Sequence, residues 1–342
     1  MLENNRYHRQ ELFQPIGKEG QQKLRNCHVL IVGAGALGSS SAEQLVRAGV
    51  GTVSLVDRDY VELTNLQRQQ LYTEEDVSEQ MPKAVAAEQR LQKINQDVTV
   101  HAHVIDAGPE ELSSFAQYVD LMIDATDNFD TRFVMNDVSQ KYEIPWIYGA
   151  CVSSYGVTFT VLPGETPCLQ CLIDYIPKDG ATCDTVGIIN PAVQMVVSYQ
   201  VTEALKYLVG DTGAMMGQLI GFDLWKNERM ELSVASLKKD DCPSCSAQRT
   251  LPYLAYQNQL KTAVLCGRDT VQIRPPREER VNISDLAQSL KRNEQVKLFE
   301  NPYLLSMEID DVRLVLFQDG RTLIHGTKDI TEAKKIYYQY VG

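Results

Sequence analysis

The stretch from Cys27 to Asp57, CHVLIVGAGALGSSSAEQLVRAGVGTVSLVD, constrains the chain more than any other. An apolar run reads as a buried strand, a glycine turn follows, then an amphipathic helix and a second apolar strand ending at Asp57. A strand, crossover helix and second strand of this length make a βαβ unit. The alternation continues: a polar helical stretch, LTNLQRQQLYTEEDV, a helix over Pro82 to Ile94, a strand in VTVHAHVI, a helix near Pro109 to Phe115, and the apolar strand VDLMIDAT. The expected fold is therefore α/β and Rossmann-like, built on a mostly parallel sheet.

Past IPWIYGACV the pattern changes to the hairpin-like SYGVTFTVLPGETP, where the sheet is expected to continue in antiparallel strands. NPAVQMVVSYQVTEALKYLVG predicts a long helix, with Asn190 as N-cap, Pro191 in the first turn and Gly210 just past the end. Strands around QLIGFDLW and RMELSV follow. The reading divides the chain into a main domain over 1–248 and a small C-terminal α/β unit over 249–342. The small unit comprises one strand in TAVLCGRDTVQI, a helix in ISDLAQSLKR, strands in YLLSMEID and VRLVLFQDGRTLIHG, and a last helix in ITEAKKIYYQYV.

The charge balance excludes one class of partner. The chain carries 33 Lys and Arg against 45 Asp and Glu, and residues 1–249 hold 20 and 33 of these. An acidic body argues against non-specific nucleic-acid binding. No stretch reaches the apolar length that spans a bilayer, and the N-terminal MLENNRYHRQ has no apolar leader core, so the expected location is the cytoplasm with no membrane partner. In that reducing setting eight cysteines are expected to be metal ligands, a nucleophile and buried thiols rather than disulfides.

Gly33, Gly35 and Gly38 let the backbone turn tightly and aim helix-start amides, including those of Ala36 and Leu37, at an anion. Asp57, at the next strand end, is placed to accept ribose hydroxyls. The turn alone would suit NAD or FAD. The residues that follow favour a triphosphate: NLQRQ supplies Asn65, Arg68 and Gln69, and Lys83 opens a helix after Pro82, two more cations than a pyrophosphate normally requires. Asp127, with Asn128 in DATDN, follows an apolar strand, at the sheet edge where open sheets bind ligands. Its carboxylate could hold Mg²⁺, leaving other positions to water and phosphate.

Two CxxC pairs, Cys168/Cys171 and Cys242/Cys245, make a four-thiolate set suited to tetrahedral Zn²⁺ with no position left for substrate. Their long separation suggests a fastener tying the post-sheet hairpin to the end of the main domain. Cys183, in the polar loop DGATCDTVG, is the thiol best placed to react. Cys27, Cys151 and Cys266 read as core or strand-end thiols. His101 and His103 share one strand face without an evident third ligand.

RYHRQ, GAGALG, VDRDYVELTNLQRQ, PKA, DATDN, the two CxxC pairs and ATCDTVGIINPAV, spread over about 6–245, resemble the ubiquitin-activating-like adenylyltransferases of bacterial sulfur-carrier systems, ThiF and MoeB. The resemblance implies ATP-dependent adenylation of the C-terminal Gly-Gly carboxylate of a ThiS- or MoaD-like carrier, with release of pyrophosphate, in thiamin thiazole or molybdenum cofactor formation. It implies that Asp57 binds ribose, that Asn65, Arg68 and Lys83 position phosphates, that Asp127 coordinates Mg²⁺, and that Arg9 reaches ATP from the other subunit of a homodimer. Cys183 matches a family cysteine tied to sulfur transfer, fed by a sulfurtransferase donor, rather than to adenylation. An NAD-linked oxidoreductase and a non-catalytic scaffold for a ubiquitin-like protein are the competing readings. Retention of Arg9, Arg68, Lys83 and Asp127 argues against the scaffold.

Overall fold

The computed structural model describes residues 6–173, 175, 186–255, 262–264, 269–274, 281–291, 296–309 and 311–341. The chain forms two compact units, Met1–Asn258 and Gln259–Gly342.

The first unit is built on eight strands: β1 His28–Val32, β2 Thr52–Val56, β3 Thr99–His103, β4 Leu121–Asp124, β5 Trp146–Val152, β6 Tyr155–Val161, β7 Gln218–Asp223 and β8 Glu228–Ser233. They lie in the order β3-β2-β1-β4-β5-β6-β7-β8. The first five are parallel, and β5 through β8 are joined antiparallel. A sheet covered on both faces needs apolar side chains in both directions, and Val29, Leu30, Ile31 and Val32 of β1 are all buried. Helices Ala36–Ala48, Lys83–Ile94 and Asn190–Val209 pack on one another and on the sheet. Helices Pro109–Phe115 and Phe129–Tyr142 contribute Leu112, Met135 and Val138 to a core shared with Leu30, Val32, Val56, Trp146 and Phe159. Each such fully buried aliphatic or aromatic side chain contributes roughly 1.5–3 kcal/mol.

Chain order reverses between β1 and β4, so the loops after these two strands open the crevice where such sheets bind ligands.

Some local expectations fail for identifiable reasons. LTNLQRQQLYTEEDV is not a continuous helix: a short 3-10 turn, Leu63–Asn65, is followed by the short helix Glu74–Ser78. Reciprocal caps between Glu62 and Asn65, and between Thr73 and Asp76, restart the backbone twice. The long helix Asn190–Val209 is preceded by Ile189 at the cap position, so Asn190 is its first residue rather than its cap, and its side chain accepts from Gln194 Nε2 at 3.3 Å. Gly210 ends it in the left-handed conformation, φ 87°.

The second unit is a six-stranded, wholly antiparallel sheet. Its strands are β9 Thr262–Val264, β10 Thr270–Ile273, β11 Lys297–Glu300, β12 Leu304–Ile309, β13 Val312–Phe317 and β14 Thr322–His325, in the order β11-β12-β13-β14-β10-β9. TAVLCGRDTVQI therefore makes two strands paired back on each other, not one, and β11 is an addition to the sequence reading. Helices Ile283–Leu290 and Ile330–Tyr340 bury Ala287, Ala333 and Tyr337 against Val271, Leu305, Met307, Leu314, Leu316 and Ile324. Asn282 and Asp329 cap these helices through their side chains.

Candidate active site

The glycine turn after β1 is shaped by two close approaches. Gly33 has φ +98°, and a Cβ there would strike the Ala125 carbonyl oxygen; a Cβ on Gly38 would strike the Gly33 carbonyl oxygen. Both positions exclude any larger residue because backbone lies against them. Gly35 differs: a Cβ there would meet only Gln69 Nε2, at 3.8 Å. It begins helix Ala36–Ala48 without a side-chain cap, so the first-turn amides are left for an anion, in the positive end of the helix dipole.

Asp57 folds back onto this turn. Ala34 N–H donates to its Oδ2 at 2.6 Å and Asp59 N–H to its Oδ1 at 2.7 Å. Burial raises the Asp57 pKa above the ordinary 3.8 and Asp59 adds to the rise, against the pull of Lys83 and the two amides. Tyr72 donates its hydroxyl to Ala34 O at 2.5 Å, and burial pushes that phenol well above its usual range. Lys83 is only 3% exposed, with Nζ 3.3 Å from Asp59 Oδ2. Its helix starts after Pro82, and its backbone N–H bonds Asp59 O at 2.9 Å, so the lysine is aimed by the same segment that carries Asp57.

Gln69 is buried beside Gly35, and among the described residues its Oε1 has no hydrogen-bond partner. Asn65 is also buried, but its Oδ1 accepts Glu62 N–H at 3.1 Å, so this side chain shapes the loop. Arg68 is half-buried and donates to Thr64 O at 3.0 Å.

Asp127 stands exposed after β4, its Oδ1 accepting from Asn128 Nδ2 at 3.2 Å. Asn128 also caps helix Phe129–Tyr142, accepting Thr131 N–H at 2.9 Å. Behind this turn lies a buried ion pair absent from the sequence reading, Arg132 Nε to Asp124 Oδ2 at 2.9 Å. Arg58 is a second omission. Burial opposes its charge, but Asp106, Asp59, Asp127 and Asp57 more than offset this and hold its pKa up, so one cation stands among the acidic groups of both loops. Its signal was its place immediately after Asp57.

Arg9 lies elsewhere. It is exposed on the short helix His8–Glu11, whose Gln10 donates to Ala48 O at 2.8 Å. Ala48 ends the helix that Ala36 begins, and at 1.5 Å per residue those ends are about 18 Å apart. Arg9 is thus tethered at the far end of the helix from its own chain's glycine turn.

The four cysteines meet as the spacing implied. Cys168, Cys171, Cys242 and Cys245 place their Sγ atoms within 4.8 Å of one another, with Cys168–Cys242 at 3.6 Å, Cys171–Cys245 at 3.5 Å and Cys168–Cys171 at 4.0 Å. A tetrahedron with Zn–S bonds of about 2.3 Å has edges of about 3.8 Å, so the set fits Zn²⁺. Lys239 N–H points at Cys171 Sγ at 3.5 Å, and a backbone donor of this kind supports a thiolate.

A protein-family model described as the ThiF family matches residues 7–244. The chain belongs to the ThiF family. It is 56% identical over 337 residues, 98% of this chain and 99% of the relative, to a protein of Bacillus subtilis (strain 168) called sulfur carrier protein ThiS adenylyltransferase. It is 38% identical, over 72% of this chain and 93% of the relative, to the sulfur carrier protein adenylyltransferase of Thermus thermophilus. A crystal structure of E. coli MccB with ATP superposes with a TM-score of 0.61 at 22% identity, covering 72% of this chain and 75% of that one, which shows a shared fold.

Within this ThiF-family fold the remaining thiols and histidines divide simply. Cys183 and Cys266 lie outside the described residues. Cys27 is half-buried, its thiol pushed up to about 11 by burial and then by Asp120, which makes it a poor nucleophile. Cys151 is half-buried near the end of β5. His103 packs edge-on against Phe115 with ring centroids 4.7 Å apart, and His101 lies 6.4 Å from His103. Among the described residues neither belongs to a group arranged to hold a metal. None of the described helices is long and apolar enough to cross a membrane.

Proposed function

We propose that the chain adenylates the C-terminal Gly-Gly carboxylate of a ubiquitin-like sulfur carrier protein, using ATP and releasing pyrophosphate. The observation that carries this reading is the convergence of an uncapped helix start, Asp57 and the buried Lys83 on one side of the crevice, with the Asp127 turn following the strand beside it. The sulfur-carrier role named for relatives aligned over 98% and 72% of this chain agrees with it.

The carrier's carboxylate is already ionised at neutral pH. The enzyme's work is therefore positioning and charge dispersal. In this reading the amides at Ala36 and Leu37, with Arg68 and Lys83, take phosphate charge, Asp57 and Gln69 orient the nucleoside and its neighbouring oxygens, and Asn65 shapes the loop. Asp127 would hold Mg²⁺, which supplies further neutralisation of phosphate charge. A carrier oxygen bonds to the α-phosphorus as the bond to the β-phosphate oxygen breaks, and pyrophosphate leaves with the electron pair. The four cysteines would hold Zn²⁺ as a closed, structural ion.

The far placement of Arg9 supports a homodimer in which each chain lends this arginine to its partner. We further assign the protein to the cytoplasm, with a sulfurtransferase as donor to the adenylated carrier and Cys183 serving that later step. ATP–pyrophosphate exchange should appear only when a Gly-Gly-ended carrier is added. Exchange without carrier, or none with ThiS-like and MoaD-like carriers alike, would overturn the assignment.

A further inference from the structure

The Asp127 turn and the four-cysteine cluster are joined by one element, the fourteen-residue helix Phe129–Tyr142. At its start the helix is locked to the turn. Asn128 caps it, and Arg132 binds Asp124 through Nε at 2.9 Å and the Thr126 carbonyl through Nη2 at 2.7 Å. Thr126 is the residue before Asp127, so the backbone feeding that carboxylate is fixed by a side chain of the helix. Asp124 closes the network by accepting from Thr126 N–H at 2.9 Å and Thr126 Oγ1 at 2.7 Å.

One to two turns further on, the same helix is locked to both cysteine pairs. Asn136 Oδ1 accepts the N–H of Leu169, the residue after Cys168, at 2.8 Å. Asp137 Oδ2 accepts Tyr253 N–H at 2.9 Å, and its carboxylate lies against Ser244, between Cys242 and Cys245. Phe133 stacks on the Tyr253 ring, with centroids 4.5 Å apart and planes 9° from parallel. The segment reaching Tyr253 is itself folded onto the second pair, since Thr250 and Leu251 donate backbone N–H groups to Pro243 O. Asn136, Asp137 and Ser244 are fully buried.

We propose that helix Phe129–Tyr142 is a strut through which the four-thiolate clip sets the position of the Asp127 turn, with Asn136 and Asp137 as positioning residues at the clip end. The inference rests on the reading of Asp127 as part of the nucleotide site. A helix transmits displacement because its hydrogen-bond ladder is stiff, and buried hydrogen bonds at both ends leave it few alternative seats. Loosening the clip end should shift the turn and weaken ATP binding, while the carrier's own contacts are left unchanged.

The test uses the full-length, zinc-loaded protein. Asp137→Ala is expected to raise the KM for ATP about tenfold and to weaken equilibrium ATP binding by the same factor. The KM for carrier should stay within about twofold and zinc content should be retained. Asp137→Asn, which keeps an acceptor for Tyr253 N–H, is expected to restore both ATP values. Should Asp137→Ala fail to fold, Phe133→Leu decides: removing the ring stack is expected to raise the ATP constant about threefold. An unchanged ATP constant in a folded, zinc-containing variant overturns the strut, as does an equal rise in both KM values. Asp127→Ala is measured in parallel. If it leaves ATP binding intact, the nucleotide reading falls and the strut with it, whereas weakened binding there beside unaltered clip-end variants removes the strut alone.

Discussion

The cysteine cluster and the glycine crevice both gather reactive groups, but the first turns its four thiols on one another and the second leaves its groups facing the mouth of a ligand crevice. Around the cluster the four Sγ atoms face one another, and three of the four cysteines are buried within a core that also holds Val161, Leu169, Leu172 and Val234. Around the crevice capacity is left over: an uncapped helix start, a Gln69 oxygen with no partner among the described residues, and a buried lysine facing a carboxylate pair. A fold spends its polar groups where they stabilise it. At the carboxyl end of an open α/β sheet, groups left underused in this way are where a ligand completes the set.

The largest effect that would sharpen this contrast belongs to the clip. Cys242→Ser should abolish zinc retention and lower thermal stability by several kcal/mol, on the order of 10 °C in Tm, read by metal analysis and calorimetry. Retained stability without metal would make the clip a passive thiol cluster. Next comes Lys83→Ala, expected to cut carrier-dependent exchange about a hundredfold, or about 2.7 kcal/mol of transition-state stabilisation, with circular dichroism unchanged. An active Lys83→Ala enzyme would remove the lysine from the phosphate site.

Two glycines divide the crevice itself. Gly38→Ala forces a Cβ into the Gly33 carbonyl and should cost roughly 3 kcal/mol of stability. Gly35→Ala has room in the free protein, so its Tm should hold while ATP affinity falls about tenfold. Equal stability losses in both would show that Gly35 also serves the fold.

The smallest effect is in pH. Because burial raises the Asp57 pKa above 3.8, its protonation begins at higher pH than for an exposed aspartate. In the proposed site ATP is held by the ionised form as acceptor, so ATP affinity should weaken on acidification from that higher pH. The sign for the free fold is opposite. Asp57's contribution to stability is full below 3.8 and is lost as pH rises through its folded value. Paired titrations of ATP binding and unfolding should therefore slope in opposite directions, and parallel slopes would rule Asp57 out as the cause.

Local chemistry made much of this legible in the chain. The glycine spacing, the apolar runs of β1, β2 and β4 and the paired CxxC motifs each act within a few residues, and the strand order and thiolate cluster follow from them. Contacts between distant segments were hidden. Nothing beside Arg132 says that it will pair with Asp124 and hold Thr126, nor does PYLA after Cys245 reveal that Tyr253 returns to Asp137 and Phe133. The polar run after Asp57 misled because its apolar spacing suits a helix, while the caps at Glu62 and Thr73 decide the backbone. Arg58 was obscured by a stronger neighbour, since Asp57 explained the strand end by itself.

The tether from Gln10 to Ala48 carries a consequence for cellular behaviour. In the proposed homodimer, a lone protomer, with Arg9 stranded a helix length from its own crevice, would have an incomplete cation set, so turnover would scale with encounters between copies. Dilution would then silence the enzyme without unfolding it. A chain damaged in its crevice could still lend its arginine to an intact neighbour, letting mixed pairs keep half their sites alive.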